Sequence, residues 1–259
     1  MKILAIIGSP RKGHTFHVVQ QIERRLIQNP EVQFEYVFLS QVNLQPCLGC
    51  YVCQSRGEQY CPIKDDRPAL VQKMQAADGV IFASPVYTAN VTALMKNLME
   101  RIAYLAHRPA FLGKPAMLVA TASMGTGDTL KALAWFGYTG FTIVSRIGLP
   151  VWPSPRVAWQ DRQAANKKLE KAVARFGRAL TRRPVSVSLG QVFQFYSIKA
   201  TGMTDPKFFT ADYTYCQDIA QLNGKVHVWK KALGQVYFWI ASRRLRGSIT
   251  PVKKGDQPF

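Results

Sequence analysis

Apolar residues fall in short unbroken runs through the first 150 positions, and between the runs they recur at helical spacing. The runs predict strands at Ile3–Ile7, Phe34–Phe38, Val80–Ala83, Ala116–Ala120 and Phe141–Ile147. The spaced stretches predict helices near Thr15–Gln28, Pro68–Ala77, Thr92–Ala106, Thr129–Trp135 and Arg162–Arg182. Asp66 before Arg67-Pro68 reads as an N-cap with proline in the first turn. Strands that are apolar at nearly every position are buried on both faces. Their alternation with helices predicts an α/β domain, a doubly wound five-stranded parallel sheet of order 2-1-3-4-5.

The pattern changes after Arg182-Arg183-Pro184. Val185–Ser197 alternates weakly, Thr201–Asp218 is rich in turn residues and aromatics, and Val226–Arg246 is again helical. The expected division is therefore a sheet domain over 1–183 and an appended, partly helical segment over 184–259.

Charge sharpens that division. The net charge is +19. Residues 1–155 carry 15 Lys/Arg against 9 Asp/Glu, whereas residues 156–259 carry 19 against 6, so the excess is mostly a property of the last hundred residues. Within it Trp229, Ala232, Leu233, Val236, Tyr237 and Ile240 share one helix face, widened by Phe238 and Trp239. Lys230, Lys231, Arg243, Arg244 and Arg246 flank that face. Such a stripe suits a helix lying on an anionic membrane, on its own domain or on a second subunit. No nucleic-acid reading motif accompanies the charge, so no specific nucleic acid is expected. No segment approaches the roughly 18 apolar residues of a membrane span. The start, one Lys and five apolar residues before Gly-Ser-Pro, is too short for the core of a signal peptide. A cytoplasmic location is expected, with peripheral membrane contact through the extension as a further option, and it argues against disulfides.

Chemistry enters at Gly8–Thr15. A buried strand, a polar loop bounded by glycine and a helix N-terminus make an anion site, because loop amides and the helix dipole converge there. The spacing Gly8-x4-Gly13-His14-Thr15 is one residue from a P-loop, but His14 stands where the phosphate-binding Lys belongs. No strand ends in an Asp suited to magnesium, and the G-x-G-x-x-G dinucleotide fingerprint is absent. A phosphomonoester remains, with Ser9, Thr15 and backbone amides as donors and Arg11 or Lys12 adding charge. Two further loops, Ser84–Asn90 and Thr121–Gly127, leave strand ends that share one crevice with the first loop in a sheet of this order.

Gly8-Ser9-Pro10-Arg11, the Cys47–Cys61 segment running into Asp65-Asp66, and Ser84-Pro85-Val86-Tyr87 leading to Met95-Lys96 resemble the NADPH-dependent FMN reductases of the flavodoxin-like superfamily. The resemblance covers residues 1 to about 150, and the cysteines resemble its iron–sulfur flavoprotein branch. It implies FMN with its phosphate on Ser9, Arg11, Thr15 and Phe16. The ribityl chain and ring would lie along Pro85, Val86, Tyr87 and Thr88, and the ring edge near Thr121, Ser123 and Gly125. Phe16 departs from the small polar residues usual there, so only its amide can serve. NAD(P)H as co-substrate, a small-molecule or protein electron acceptor and a homodimer or homotetramer are implied in the same way.

Flavin chemistry belongs to the cofactor, so the protein must bind and orient the ring and need not supply an acid–base pair. No catalytic side chain is assigned accordingly: His14, His17, His107 and His227 are scattered and read as structural or exposed.

Cys47-x2-Cys50-x2-Cys53-x7-Cys61 is the second chemical signal, and Cys216 stands apart from it. Thiolates at successive x2 spacings can converge on a cubane, and the family resemblance makes the motif a candidate [4Fe–4S] site. Zinc usually takes two separated Cys-x2-Cys pairs. Plain thiols in a loop beside the flavin are the other reading. Three functions follow. One is an FMN-dependent NAD(P)H oxidoreductase passing hydride to FMN and on to a quinone, flavin or other acceptor. The second is an iron–sulfur flavoprotein serving a ferredoxin-like partner. The third is a non-catalytic flavodoxin-like module that docks on membranes.

Overall fold

Ile3, Leu4, Ala5, Ile6 and Ile7 have no exposed surface, as a strand covered on both faces requires. In this computed structural model residues 1–27, 30–151, 162–182, 186–217 and 226–248 are described. The elements in chain order are β1 (Lys2–Ile7), α1 (His14–Leu26), β2 (Gln33–Phe38), α2 (Val52–Ser55), α3 (Arg67–Ala76), β3 (Gly79–Pro85), α4 (Ala93–Arg101), α5 (Tyr104–His107), β4 (Pro115–Ala122), α6 (Thr126–Leu133), β5 (Thr142–Pro150), α7 (Arg162–Thr181), α8 (Leu189–Gly202), α9 (Thr210–Gln217) and α10 (Val228–Ser248). They divide into two compact units. One is Met1–Gly49 with Pro62–Ser186, and the other is Cys50–Cys61 with Val187–Phe259. The sequence-based division at 183/184 and the expected helix end at Gln28 lie outside the described residues.

The first unit holds a parallel sheet of order β2-β1-β3-β4-β5, the doubly wound arrangement expected. Strand pleat sends alternate residues to opposite faces. Ile3, Ala5, Ile7, Ile81, Ala83, Met117 and Val119 pack with Val18, Val19 and Ile22 of α1 and with Leu169, Val173, Phe176 and Leu180 of α7. On the other face Phe82 stacks on Phe136 at 3.6 Å and meets Phe141 edge-on at 5.3 Å.

The chain departs from the pattern-based expectations at three places. The helix expected over Thr92–Ala106 is broken. Ile102 leaves helical geometry with φ −111°, and bonds from Ala103 to Glu100 and from Leu105 to Ile102 tighten the next turn. Asp66 precedes α3, yet its side chain makes no cap and instead accepts the Asn43 amide at 2.9 Å. The neighbouring Asp65 takes the role, accepting the Arg67 amide at 3.2 Å. It also accepts the Gln45 amide at 2.9 Å and is paired with Arg101 at 2.9 Å, both side chains being buried.

The third departure lies in the second unit. The weak alternation in Val185–Ser197 gives way to α8, because Ser188 and Gln191 form a reciprocal capping box that starts a helix. Val192, Phe195, Tyr196 and Ala200 then fall buried on one side. The turn-rich stretch contains α9, which packs on α2, and α10 packs on α8. Among the described residues no helix is long and apolar enough to cross a membrane.

Candidate functional site: a cleft at the strand ends

β1 ends at Ile7, and the chain turns through Gly8 to Gly13 before α1 begins at His14. The Gly8 amide is held by the Ala83 carbonyl of β3 at 2.8 Å. Its carbonyl accepts the Thr92 hydroxyl at 2.7 Å, and that hydroxyl in turn accepts the Met95 amide as the N-cap of α4. A Cβ on Gly8 would lie 3.0 Å from Met95 Cβ and Thr92 Oγ1, so close approach requires glycine there. Within the loop Ser9 is buried, and its hydroxyl donates to the Arg11 carbonyl at 2.7 Å. The Gly13 amide also reaches the Arg11 carbonyl, at 2.9 Å, closing a tight turn.

The first intrahelical bond of α1 runs from the His17 amide to Gly13. The amides of His14, Thr15 and Phe16 precede it and point out of the helix end. Thr15 is buried, and its hydroxyl lies 2.7 Å from that of Thr121, equally buried at the end of β4. One of these hydroxyl protons is used in that bond, and the other remains to be donated.

The second loop leaves β3 at Pro85. The Val86 amide is fixed to the Thr121 carbonyl at 2.9 Å. Tyr87 and Asn90 then exchange both backbone bonds, at 2.9 and 3.0 Å, around Thr88 and Ala89. Both central residues are left-handed, with φ 49° and 58°. This is the two-residue turn that normally takes Asn-Gly, so a Thr-Ala pair holds strain at the lip of the cleft. The third loop follows Ala122, whose carbonyl accepts the Val151 amide at 2.7 Å. Gly125 precedes α6 with φ 73°, and a Cβ there would meet nothing, so its dihedral is the constraint.

These loops enclose a cleft of about 280 Å³. Ser9, Arg11 and Thr15 line it from the first loop, Pro85, Val86 and Tyr87 from the second, and Thr121 and Ser123 from the third. Phe16, Thr88 and Gly125 are not in that lining. The Phe16 ring packs edge-on against Tyr36 and Phe38, leaving only its amide for the cleft. Lys12 sits over the Phe38 ring at 5.2 Å, so Arg11 is the cation of the first loop that lines the cleft. Gly13, His14, Ala122, Met124 and Val151 also line it. His14 was readable from its place at the first position of the helix behind the loop; Val151, beyond the last strand, gave no local signal. None of these lining residues is acidic. Buried hydroxyls, an outward-facing helix end and one arginine, with no carboxylate among them, form a set that fits a phosphate monoester.

The profile of the NADPH-dependent FMN reductases matches residues 1–150. The chain belongs to that family. An iron–sulfur flavoprotein of Methanocaldococcus jannaschii is 39% identical over 102 residues, which are 39% of this chain and 51% of that one. An iron–sulfur flavoprotein of Clostridioides difficile is 28% identical over 244 residues, 89% of this chain and 98% of the relative. The match spans about half the length of the Methanocaldococcus jannaschii relative and of similar iron–sulfur flavoproteins of Archaeoglobus fulgidus and Methanosarcina thermophila. Among solved structures, the apo form of an NADH:FMN oxidoreductase (EMOB) aligns with TM-score 0.52 at 22% identity, covering 71% of this chain and 91% of that one. RosB with bound 8-demethyl-8-formylriboflavin-5′-phosphate aligns with TM-score 0.57 at 14% identity, covering 85% and 86%. These likenesses establish the family's flavodoxin-like fold.

The cysteines present a different picture. Cys47 and Cys50 are exposed, Cys53 is half-buried, and Cys61 and Cys216 are buried. Cys47 belongs to the first unit and Cys50, Cys53 and Cys61 to the second. Among the described residues no three His, Cys, Asp or Glu side chains gather as a metal-ligand set.

Proposed function

We propose that this chain is an FMN-dependent NAD(P)H oxidoreductase, and that the cleft at the ends of β1, β3 and β4 is its flavin site. The observation that carries the proposal is the donor set at the start of α1: buried Ser9 and Thr15, the His14–Phe16 amides, Arg11, and no acid in the lining. FMN bound there supplies a ring that accepts hydride from NAD(P)H and reduces an acceptor. Ser9, by holding the Arg11 carbonyl, shapes the loop around the phosphate. The Thr15 and Thr121 hydroxyls carry the contact from the phosphate loop toward the third strand end. Pro85, Val86 and Tyr87 form the wall along which the ring lies, and the strained turn at Thr88-Ala89 fixes where Tyr87 stands. No side chain is required to move a proton.

The acceptor in this reading is a quinone, free flavin or other small oxidant, the chain works in the cytoplasm, and it assembles as a homodimer or homotetramer. The test is titration of purified protein with FMN, followed by NADPH and NADH oxidation with a quinone. Bound flavin and acceptor-dependent oxidation support the proposal, and a protein that takes up no FMN refutes it. The cysteine spacing and the iron–sulfur flavoprotein relatives favour a second reading, in which Cys47, Cys50, Cys53 and Cys61 hold a [4Fe–4S] centre. Iron and sulfide analysis after oxygen-free purification decides it, with about four irons per chain supporting the cluster. Metal-free protein with intact FMN binding supports the first reading alone.

A further inference from the structure

Residues 228–248 contain five Lys/Arg and no Asp or Glu. They form α10, which meets α8 along a narrow seam. Gly234 is buried there, and a Cβ on it would fall 2.3 Å from the Tyr196 ring, so the helices are in close contact. Phe238 meets Tyr196 at 6.2 Å, with Lys199 over its ring at 5.5 Å. Tyr237 lies 5.0 Å from the Phe193 ring and shares a hydrogen bond of 2.9 Å with Ser197. Packing therefore uses the side of α10 that carries the glycine, together with Tyr237 and Phe238 from the edge of the apolar stripe.

The remainder of that stripe faces outward. Trp229, Leu233, Val236, Trp239 and Ile240 are between 45% and 58% exposed. Positions 229, 233, 236 and 240 follow one another at helical spacing, with Trp239 beside them. Arg243, Arg244 and Arg246 are exposed at the end of the same helix, and the Arg243 guanidinium stacks on Trp239 at 3.8 Å. Lys230 is used within the unit, donating to the Val187 carbonyl at 2.7 Å. A contiguous exposed apolar patch with a basic edge marks an interaction surface.

Charge selects its occupant. A second copy placed face to face would bring cation-rich, acid-free helices together, and the chain as a whole carries +19. An anionic bilayer offers both phases the helix needs: hydrocarbon for Trp, Leu, Val and Ile, and phosphate for the arginines. Tryptophan favours that boundary, and α10 does not qualify as a membrane span. We propose that α10 lies in the plane of an anionic membrane surface, sinking its Trp229–Ile240 face while Arg243, Arg244 and Arg246 engage lipid phosphates. The chain is on this basis a peripheral membrane protein. The inference does not depend on the flavin site.

The test is cosedimentation of the full chain with vesicles of phosphatidylcholine, with or without phosphatidylglycerol. Protein is quantified by gel staining, and flavin is read separately in each sample, so failure of FMN binding is not confused with failure of docking. The chain is expected to pellet with phosphatidylglycerol vesicles alone, with binding weakened by salt. The R243E/R244E/R246E variant is expected to lose at least about a hundredfold in partitioning, from the loss of three cations near an anionic surface and their replacement by repelled carboxylates. The W229S/W239S variant, changed only at exposed positions, is expected to lose at least about tenfold while keeping its helical circular dichroism. Wild-type protein that stays in the supernatant overturns the proposal. Binding that ignores the tryptophans overturns insertion. A dimer dissolved by W229S/W239S without vesicle binding assigns the face to a second copy instead. Binding to duplex DNA that ignores the tryptophans, with no vesicle binding, assigns the charge to nucleic acid.

Discussion

Replacing Arg11 by Ala removes the arginine of the phosphate loop from the cleft lining. A hydrogen bond to a charged group contributes about 1.5–3 kcal/mol. Arg11 is exposed, so screening places its contribution near the lower figure, an affinity loss of about tenfold that shrinks as salt is raised. Ser9→Ala acts differently. Ser9 is buried and reaches the Arg11 carbonyl at 2.7 Å, so its loss loosens the loop by about 1 kcal/mol with little salt dependence. Because Ser9 positions Arg11, the two effects are coupled, and the double variant should lose less than the sum of the singles. Flavin fluorescence quenching, titrated at low and high ionic strength, measures all three. Cys47→Ser serves as the comparison, with FMN retention expected to persist. Unchanged affinity in Arg11→Ala, or equal loss in Cys47→Ser, refutes the assignment of the phosphate loop.

Ala89→Gly should stabilise the protein. A non-glycine residue in the left-handed region costs about 1–2 kcal/mol, and glycine gives back about 0.5–1 kcal/mol through chain entropy. The net gain of about 0.5–1 kcal/mol appears as a rise of roughly 1–4 °C in Tm, and a lower Tm would show that the turn is not strained. Glu35 lies 2.7 Å from both Lys2 and Lys73, whose hydrogen bonds hold its carboxyl below the ordinary carboxylate range. Its contribution is complete above the ordinary value and disappears as pH falls through the lowered one. Glu35→Gln should therefore lower the urea midpoint at neutral pH and converge with wild type in acid; a constant difference would contradict that linkage. Arg101→Met strands the buried Asp65 carboxylate and should destabilise by about 3–5 kcal/mol, read by urea unfolding.

The sheet was legible because Ile3–Ile7, Val80–Ala83 and Ala116–Ala120 are unbroken apolar runs of strand length, the pattern of strands covered on both faces. The three cleft loops were legible for the same reason, since each leaves the end of such a strand. What could not be read was decided by contacts distant in sequence. Asp65 rather than Asp66 serves α3 because Arg101 and the Gln45 amide converge on it. Neither Thr88 nor Ala89 favours positive φ, and the turn they make is imposed by the Tyr87–Asn90 bonds. In α10 the apolar stripe left membrane, own domain and second subunit open, and the seam with α8 is set by Gly234, where the absence of a Cβ lets Tyr196 in close.

Thr92 joins the two ends of the cleft. Its hydroxyl grips the Gly8 carbonyl while capping α4, and its amide reaches the Ser84 hydroxyl that precedes Pro85. The loop suited to a phosphate and the wall suited to a ring are thereby one mechanical part. A ligand lacking the phosphate would leave the ring wall less firmly seated as well as the phosphate loop empty. Discrimination between riboflavin and FMN should then exceed what the phosphate's own hydrogen bonds provide.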